Sequence, residues 1–136
     1  ITGELDPALD QHRTADGRGK SREESMRRLA RMIGCDLGQA PAARWEHLAG
    51  WLAQAQRRLV RAACDRQLSR GVLDLHAPIV GLGAGTFVVK RVAAELGREY
   101  LDFAALAGVA PHLCDAIDVC GPAFAVARLA SLRERE

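Results

Sequence analysis

Apolar residues recur at helical spacing in the segment from Ser21 to Gly34. The residues that share this spacing, at i, i+3, i+4 and i+7, are Met26, Leu29, Ala30 and Ile33. Ser21 and Glu24 have the spacing of a capping box, in which each side chain accepts a hydrogen bond from a free backbone N–H. Gly34 supplies a stop signal. The pattern therefore predicts a helix over this segment.

The longest helical pattern runs from about residue 42 to residue 70. Its apolar stripe consists of Trp45, Leu48, Leu52, Ala55, Leu59 and Ala62. Val60 and Leu68 lie off that stripe, which indicates that a second face is also covered. Basic residues cluster in its C-terminal half, at Arg57, Arg58, Arg61, Arg66 and Arg70. They are typical of a solvated face that complements the helix dipole, and a face that binds an anion or a partner is the alternative.

The pattern changes after residue 77, where a short apolar run is typical of a buried strand. Apolar positions from Val89 to Leu96 then predict a helix that begins near Thr86 and that Gly97 closes. Residues 99–103 are interpreted as a second strand, and a final helix is expected to start at Gly121-Pro122. With residues 1–20 as loop and 21–70 as two helices, the predicted order is α–α–β–α–β–α.

Composition favours closely packed helices over a small sheet, because 49% of the 136 residues are hydrophobic while only 4% are aromatic. A net charge of +2 is too small to indicate nucleic-acid binding. No apolar run is long enough to span a bilayer, and the start of the chain carries no secretory signal. We therefore expect a cytoplasmic protein without a membrane partner, with its four cysteines as free thiols. The missing initiator Met is compatible with processing or with a fragment.

Three glycines at alternating positions follow the first predicted strand, and they are the strongest candidates for chemistry. Gly81, Gly83 and Gly85 leave backbone N–H groups accessible, and the helix from Thr86 directs its positive end into the same space. Asp102 lies 21 residues beyond Gly81, about where an acid meets a ribose hydroxyl in dinucleotide folds. The third glycine comes one position too early for the G-x-G-x-x-G fingerprint, so a purely structural turn stays open.

The sequence contains no candidate for a Walker loop, a catalytic nucleophile or a metal site. No G-K-[ST] follows the glycines, which excludes a Walker loop, and no G-x-S-x-G marks a nucleophile. The cysteines lack zinc-site spacing and the four histidines are scattered, so no metal-ligating set is predicted.

Three blocks together resemble a known family: Thr14–Asp36, Val80–Phe103 and Cys120–Ala130. They are similar to the C-terminal half of tetrahydromethanopterin-linked C1 transfer pathway proteins. These belong to the hydantoinase A/oxoprolinase group within the actin-like ATPase superfamily. An archaeal relative is the furanylmethanamine synthase of methanofuran biosynthesis, a transferase that joins an aminomethylfuran diphosphate to a tyramine derivative and releases pyrophosphate.

The resemblance implies an α/β fold in which residues 1–136 form a single C-terminal lobe of an actin-like, ribonuclease H-like architecture. Family chains are longer, and their N-terminal half carries an Asp-Gly-Gly phosphate loop and a second Asp-containing loop that this sequence lacks. The implied partners are therefore that N-terminal lobe, or a second chain that supplies it, and a small diphosphate substrate. Gly81, Gly83, Gly85 and Thr86 would line the cleft between the lobes.

The resemblance also directs attention to Asp16, Gly17, Arg18 and Lys20, which would face the same cleft. Mg²⁺ with a nucleotide or diphosphate is the implied cofactor, and Asp16 is either a ligand of that metal or part of a turn. Two other classes of function stay open. One is a non-catalytic module whose Arg-rich helix contacts an acidic partner or nucleic acid, and the other is a dinucleotide-binding domain.

Overall fold

The computed structural model describes residues 1–5, 10 and 12–133. These residues form five α-helices and two strands: α1 (Arg22–Met32), α2 (Ala42–Leu68), β1 (Ile79–Gly81), α3 (Thr86–Glu95), β2 (Tyr100–Asp102), α4 (Phe103–Ala107) and α5 (Cys114–Arg133). The strands pair in parallel. The fold is thus helix-rich α/β with a small sheet, as the sequence predicts, while the actin-like architecture stays a prediction.

The chain divides into two compact units, Ile1–Leu59 and Val60–Glu136, and the boundary falls inside α2. The expectation of a single lobe stays a prediction. Among the described residues, no helix combines the length and the apolar character that crossing a bilayer requires.

In the first unit, α1 begins as its sequence predicts. The Ser21 hydroxyl caps the helix by accepting a hydrogen bond from the Glu24 N–H at 3.2 Å. The Glu24 carboxylate binds the Arg27 guanidinium one turn further along. The helix ends at Met32, and Gly34 follows in the left-handed conformation with φ of 75°, where a glycine is the residue that costs least.

The core of the first unit is built around Trp45, which is 4% exposed and packs with Met26 and Ala30. Its indole N–H donates to the carbonyl oxygens of Leu37 at 2.9 Å and Ala40 at 3.1 Å. One buried side chain therefore satisfies two carbonyls of the loop between α1 and α2.

The part of α2 that begins at Val60 belongs to the second unit, and Leu59 is the last residue of the first. Leu59, on the predicted stripe, is 74% exposed, whereas Val60 and Leu68 line a groove of about 300 Å³ together with Leu73 and Ile79. Val60 and Leu68 are both half-buried, so this face is covered in part. The lining of this groove contains no charged residue.

The sheet of the second unit is held by α3, which contacts both strands. Val92 and Ala93 of α3 are almost completely buried. The Ile79 N–H donates to the Glu99 carbonyl at 2.8 Å, and the Arg98 guanidinium donates to the Ala77 carbonyl at 2.7 Å. These bonds join the residues that precede β1 to those that precede β2.

Two predicted elements in the second unit have different limits in the structure. The strand predicted over 99–103 is limited to Tyr100–Asp102, because Phe103 begins α4 and packs edge-on against Phe124 with ring centroids 6.3 Å apart. The last helix starts at Cys114, not at Gly121-Pro122. Its backbone leaves helical geometry at Cys120 (φ −96°, ψ 15°), since Pro122 cannot continue the regular hydrogen-bond pattern. The predicted start is therefore the start of the segment after a kink.

The turn that follows β1 contacts α5 at this kink. Gly121 is buried, and a Cβ atom placed there would lie 2.7 Å from Cγ of Leu82. The leucine side chain that follows β1 thus occupies the space that a side chain at position 121 would need.

The indole hydrogen bonds of Trp45 yield a stability prediction. We expect Trp45→Phe to lower the free energy of unfolding of the first unit by about 2 kcal/mol, since two carbonyls lose their donor. Hydrogen exchange of the α1 amides measures this loss. Trp51→Phe is the matched control, because Trp51 is 55% exposed and its replacement should change stability by less than about 0.5 kcal/mol. Equal effects of the two substitutions would contradict the assignment.

Candidate functional site

The candidate site lies at the carboxyl edge of the two-stranded sheet. The register pairs Gly81, the last residue of β1, with Asp102, the last residue of β2. Both strands are parallel, so both carboxyl ends meet at one edge, where open α/β sheets bind ligands. The glycine turn, residues 81–85, leaves this edge and enters α3 at Thr86. The structure therefore brings together the residues that the sequence singled out in this unit.

The three glycines of the turn differ in their surroundings and in their backbone conformation. Gly81 is buried, and a Cβ there would lie 2.6 Å from the Tyr100 ring carbon Cε2, so a larger residue would require the ring to move. Gly83 has φ of 86°, which L-residues with a side chain rarely adopt. Open space surrounds the Cβ positions of Gly83 and Gly85. A ligand can therefore approach the backbone at Gly83 and Gly85, while Tyr100 covers Gly81.

Two backbone N–H groups at the start of α3 are bonded within the turn itself. The Thr86 N–H donates to the Gly83 carbonyl at 3.2 Å, and the Val88 N–H donates to the Gly85 carbonyl at 3.0 Å. Gly85 is the N-cap residue, so it has no side chain that could cap the helix, and the first turn of α3 contains no acidic residue. The positive end of the helix dipole is thus not neutralised by a carboxylate within its own first turn.

Asp102 is engaged with two side chains that the sequence analysis did not single out. The Tyr100 hydroxyl donates to Asp102 Oδ1 at 2.7 Å, and Lys90 Nζ lies 3.5 Å from the same oxygen. The ammonium group also lies 5.0 Å from the centroid of the Tyr100 ring. Two signals could have found these residues: Lys90 is four residues after Thr86 on α3, and Tyr100 is two residues before Asp102 on one strand face.

The second predicted group, Asp16 to Lys20, lies in the first unit and is bound to its own surroundings. The Gly17 N–H donates to the Thr14 carbonyl at 3.0 Å, and the Arg18 N–H donates to Asp16 Oδ1 at 3.2 Å, which defines a turn. Arg28 of α1 donates to Asp16 Oδ1 at 3.3 Å and to the Gly19 carbonyl at 3.0 Å.

Both basic residues of this group are paired with acidic residues. Arg18 lies 3.8 Å from Glu24, and Lys20 Nζ lies 3.1 Å from Asp10 Oδ1. The turn is therefore attached to α1 and to the preceding loop by charged contacts.

These contacts change the acidity of both carboxyl groups. Burial opposes ionisation of Asp16, but hydrogen bonds from the Arg18 backbone, the Thr14 hydroxyl and the Arg28 guanidinium outweigh it and hold the pKa of Asp16 below its usual value. The hydrogen bond from Arg27 lowers the pKa of Glu24, with further help from the charges of Arg27 and Arg18. Both groups are anions at neutral pH.

The implied Mg²⁺ does not fit Asp16 or Asp102, the two carboxylates of the predicted site residues. Asp16 is paired with Arg28 and Asp102 with Lys90, so a cation at either carboxylate would displace a charged partner. Over the ranges that the structure describes, no three His, Cys, Asp or Glu side chains converge in a way that could hold a metal ion.

Two arginines of the Arg-rich region, Arg61 on α2 and Arg70 just after it, make contacts within the second unit. Arg61 donates to the Glu95 carbonyl at 3.3 Å and lies 3.5 Å from its carboxylate and 3.7 Å from that of Asp65. Arg70 donates to Gln67 at 3.1 Å. Arg61 and Arg70 thus make local contacts, while a partner-binding role of the Arg-rich helix stays a prediction.

Compared with known proteins, the chain matches no family model, no curated protein and no solved structure. The family resemblance therefore stays a prediction that rests on the three sequence blocks.

The lowered pKa values of Asp16 and Glu24 predict how the first unit responds to acid. A carboxyl group whose pKa is lower in the folded than in the unfolded state stabilises the fold above its unfolded pKa, and this stabilisation is lost as the pH falls through the folded pKa. We expect the α1 amides to lose protection below about pH 4.5. Asp16→Asn combined with Glu24→Gln should flatten this dependence, and an unchanged pH profile would contradict it.

The positive φ at Gly83 predicts a local loss of stability on substitution. Gly83→Ala should destabilise the second unit by about 1–2 kcal/mol, since a Cβ disfavours the left-handed region. Gly85→Ala is the matched control: its φ is −91° and its Cβ position is open, so we expect a change near zero. Thermal unfolding of both variants measures the difference, and similar melting temperatures would show that Gly83 is not strained.

Proposed function

We propose that this chain supplies one wall of a diphosphate-binding cleft in a transferase of methanofuran and one-carbon cofactor metabolism. The reaction would couple an aminomethylfuran diphosphate to a tyramine derivative and release pyrophosphate. The observation that supports the proposal best is the open backbone at Gly83 and Gly85, beside the uncapped start of α3. A second lobe, from another segment or chain, would supply the opposite wall.

The chemistry of such a reaction suits this edge of the sheet. When the diphosphate leaves with its bonding electron pair, negative charge grows on its oxygens. Backbone N–H groups and a helix N-terminus stabilise that charge without having to reorganise. Lys90, whose ammonium lies at the same edge, adds a positive charge. The wall would therefore stabilise the leaving group, while the amine or hydroxyl that attacks would be bound by the opposite lobe.

A dinucleotide-binding domain is the second candidate, because the register places Asp102 opposite Gly81 at the carboxyl edge. This reading predicts saturable binding of NAD or NADP that Gly83→Val abolishes and Asp102→Ala weakens. Absence of cofactor binding at millimolar concentration would remove this candidate.

Binding of pyrophosphate to the isolated chain tests the leading proposal. We expect Gly83→Val to weaken binding at least tenfold, because its side chain would fill the open space over the turn. Gly71→Val is the matched control: Gly71 also has positive φ, 67°, and open space around its Cβ position, but it lies outside the turn. Titration calorimetry measures both variants, and equal losses would show that the turn has no special role.

Co-expression tests the transferase itself. The chain and an N-terminal lobe that carries the Asp-Gly-Gly loop are purified together and assayed for coupling and pyrophosphate release. We expect activity that neither part shows alone and that Gly83→Val lowers at least tenfold. No gain over the separate parts would contradict the proposal.

A further inference from the structure

We propose that Lys90 is the cation of the glycine turn and that the Asp102 carboxylate competes with a bound diphosphate for it. Asp102 would then oppose anion binding instead of contributing to it. This inference rests on the proposed diphosphate site, but it concerns different residues and predicts a distinct sign for one substitution.

The position of Lys90 supports its assignment as the cation. The residue stands one turn after Thr86 on α3, and its ammonium reaches Asp102 at the end of β2. Asp102 is the register partner of Gly81, from which the turn departs. The charge thus lies at the sheet edge where the turn begins. Lys90 is half exposed, at 53%, so it can turn toward a ligand without leaving a buried position.

The surroundings of Asp102 support its role as the competitor. Its Oδ1 atom accepts the Tyr100 hydroxyl at 2.7 Å, and this bond positions the carboxylate beside the ammonium. The half-buried Tyr100 ring lies close to Gly81, where a Cβ atom would come within 2.6 Å of ring carbon Cε2. A diphosphate at the turn would be repelled by this carboxylate and attracted by Lys90. The ion pair between the two must therefore weaken for the anion to bind.

Asp102→Asn separates this inference from a role in which Asp102 binds the ligand. The asparagine keeps an oxygen that accepts the Tyr100 hydrogen bond but removes the charge. We expect pyrophosphate to bind about fivefold more tightly, since an exposed ion pair is worth up to about that factor. Lys90→Met should weaken binding about tenfold, as expected for the loss of a charged hydrogen bond.

Matched controls account for the change in net charge. Asp115→Asn removes an acidic residue in the first turn of α5, and Arg66→Met removes a basic residue in the last turn of α2. Neither should change the affinity for pyrophosphate more than about twofold. A gain of affinity with Asp115→Asn equal to that with Asp102→Asn would overturn the inference in favour of net charge.

The remaining outcomes distinguish the inference from the proposed site. If the unaltered chain binds pyrophosphate and Gly83→Val abolishes binding, but Asp102→Asn leaves it unchanged or weaker, the inference fails and the site stands. If the Asp102→Asn variant binds pyrophosphate and the unaltered chain does not, the result supports competition between Asp102 and the anion for Lys90. If neither the unaltered chain nor Asp102→Asn binds, both ideas fail.

A second measurement observes the ammonium group directly. Lys20 and Lys90 are the two lysines of the chain, so reductive methylation with ¹³C-formaldehyde gives two lysine signals in a carbon NMR spectrum, and Lys90→Met assigns them. We expect the Lys90 signal to differ between the unaltered chain and Asp102→Asn, and to shift when pyrophosphate is added. A shift of the Lys20 signal alone would overturn the assignment.

Discussion

The candidate site depends on a pairing of only three residues in each strand. Because Gly81 lies opposite Asp102, the glycine turn, the start of α3 and the Lys90–Asp102 pair share one edge. A sheet of two strands is marginal by itself, and the burial of Val92 and Ala93 on α3 supplies the packing that holds it. The core of this unit and its chemistry are therefore parts of one small arrangement.

Charged contacts play a different part in the first unit. The block from Thr14 to Asp36 is the most specific part of the family resemblance, but its acidic and basic side chains bind one another. Arg28 ties the Asp16 turn to α1, and Glu24 is shared between Arg27 and Arg18. Charge that would be available for a ligand is thus used to hold a loop of little apolar content.

The sequence predicts the helices well, since α1, α2 and α3 have periodic apolar positions and their ends have cap or glycine signals. It does not predict α4, because Phe103 to Ala107 is short and apolar, and such a run suits a strand or a helix equally. The kink at Cys120 is also missed, as Pro122 is equally typical of a first helical turn.

The sequence predicts where the candidate site lies along the chain, but it does not predict the contacts between its elements. The turn and its glycines can be located from spacing alone, yet three identical residues turn out to have separate roles. Gly81 accommodates the Tyr100 ring, which no local pattern reveals. The contact of Lys90 with Asp102 joins a helix to a strand 12 residues further along, and it follows from strand register, which a single sequence does not define.

The contact between Leu82 and Gly121 has a mechanical consequence for the whole edge. Glycines usually give a loop freedom to move, but here the leucine between two of them lies in a notch on the kinked helix α5. Displacing the loop backbone would withdraw that side chain from Gly121 and expose more of it than the 37% that is already exposed. The loop is thus in contact with a proline-containing bend some 40 residues away, and a change in that bend would alter the packing of Leu82.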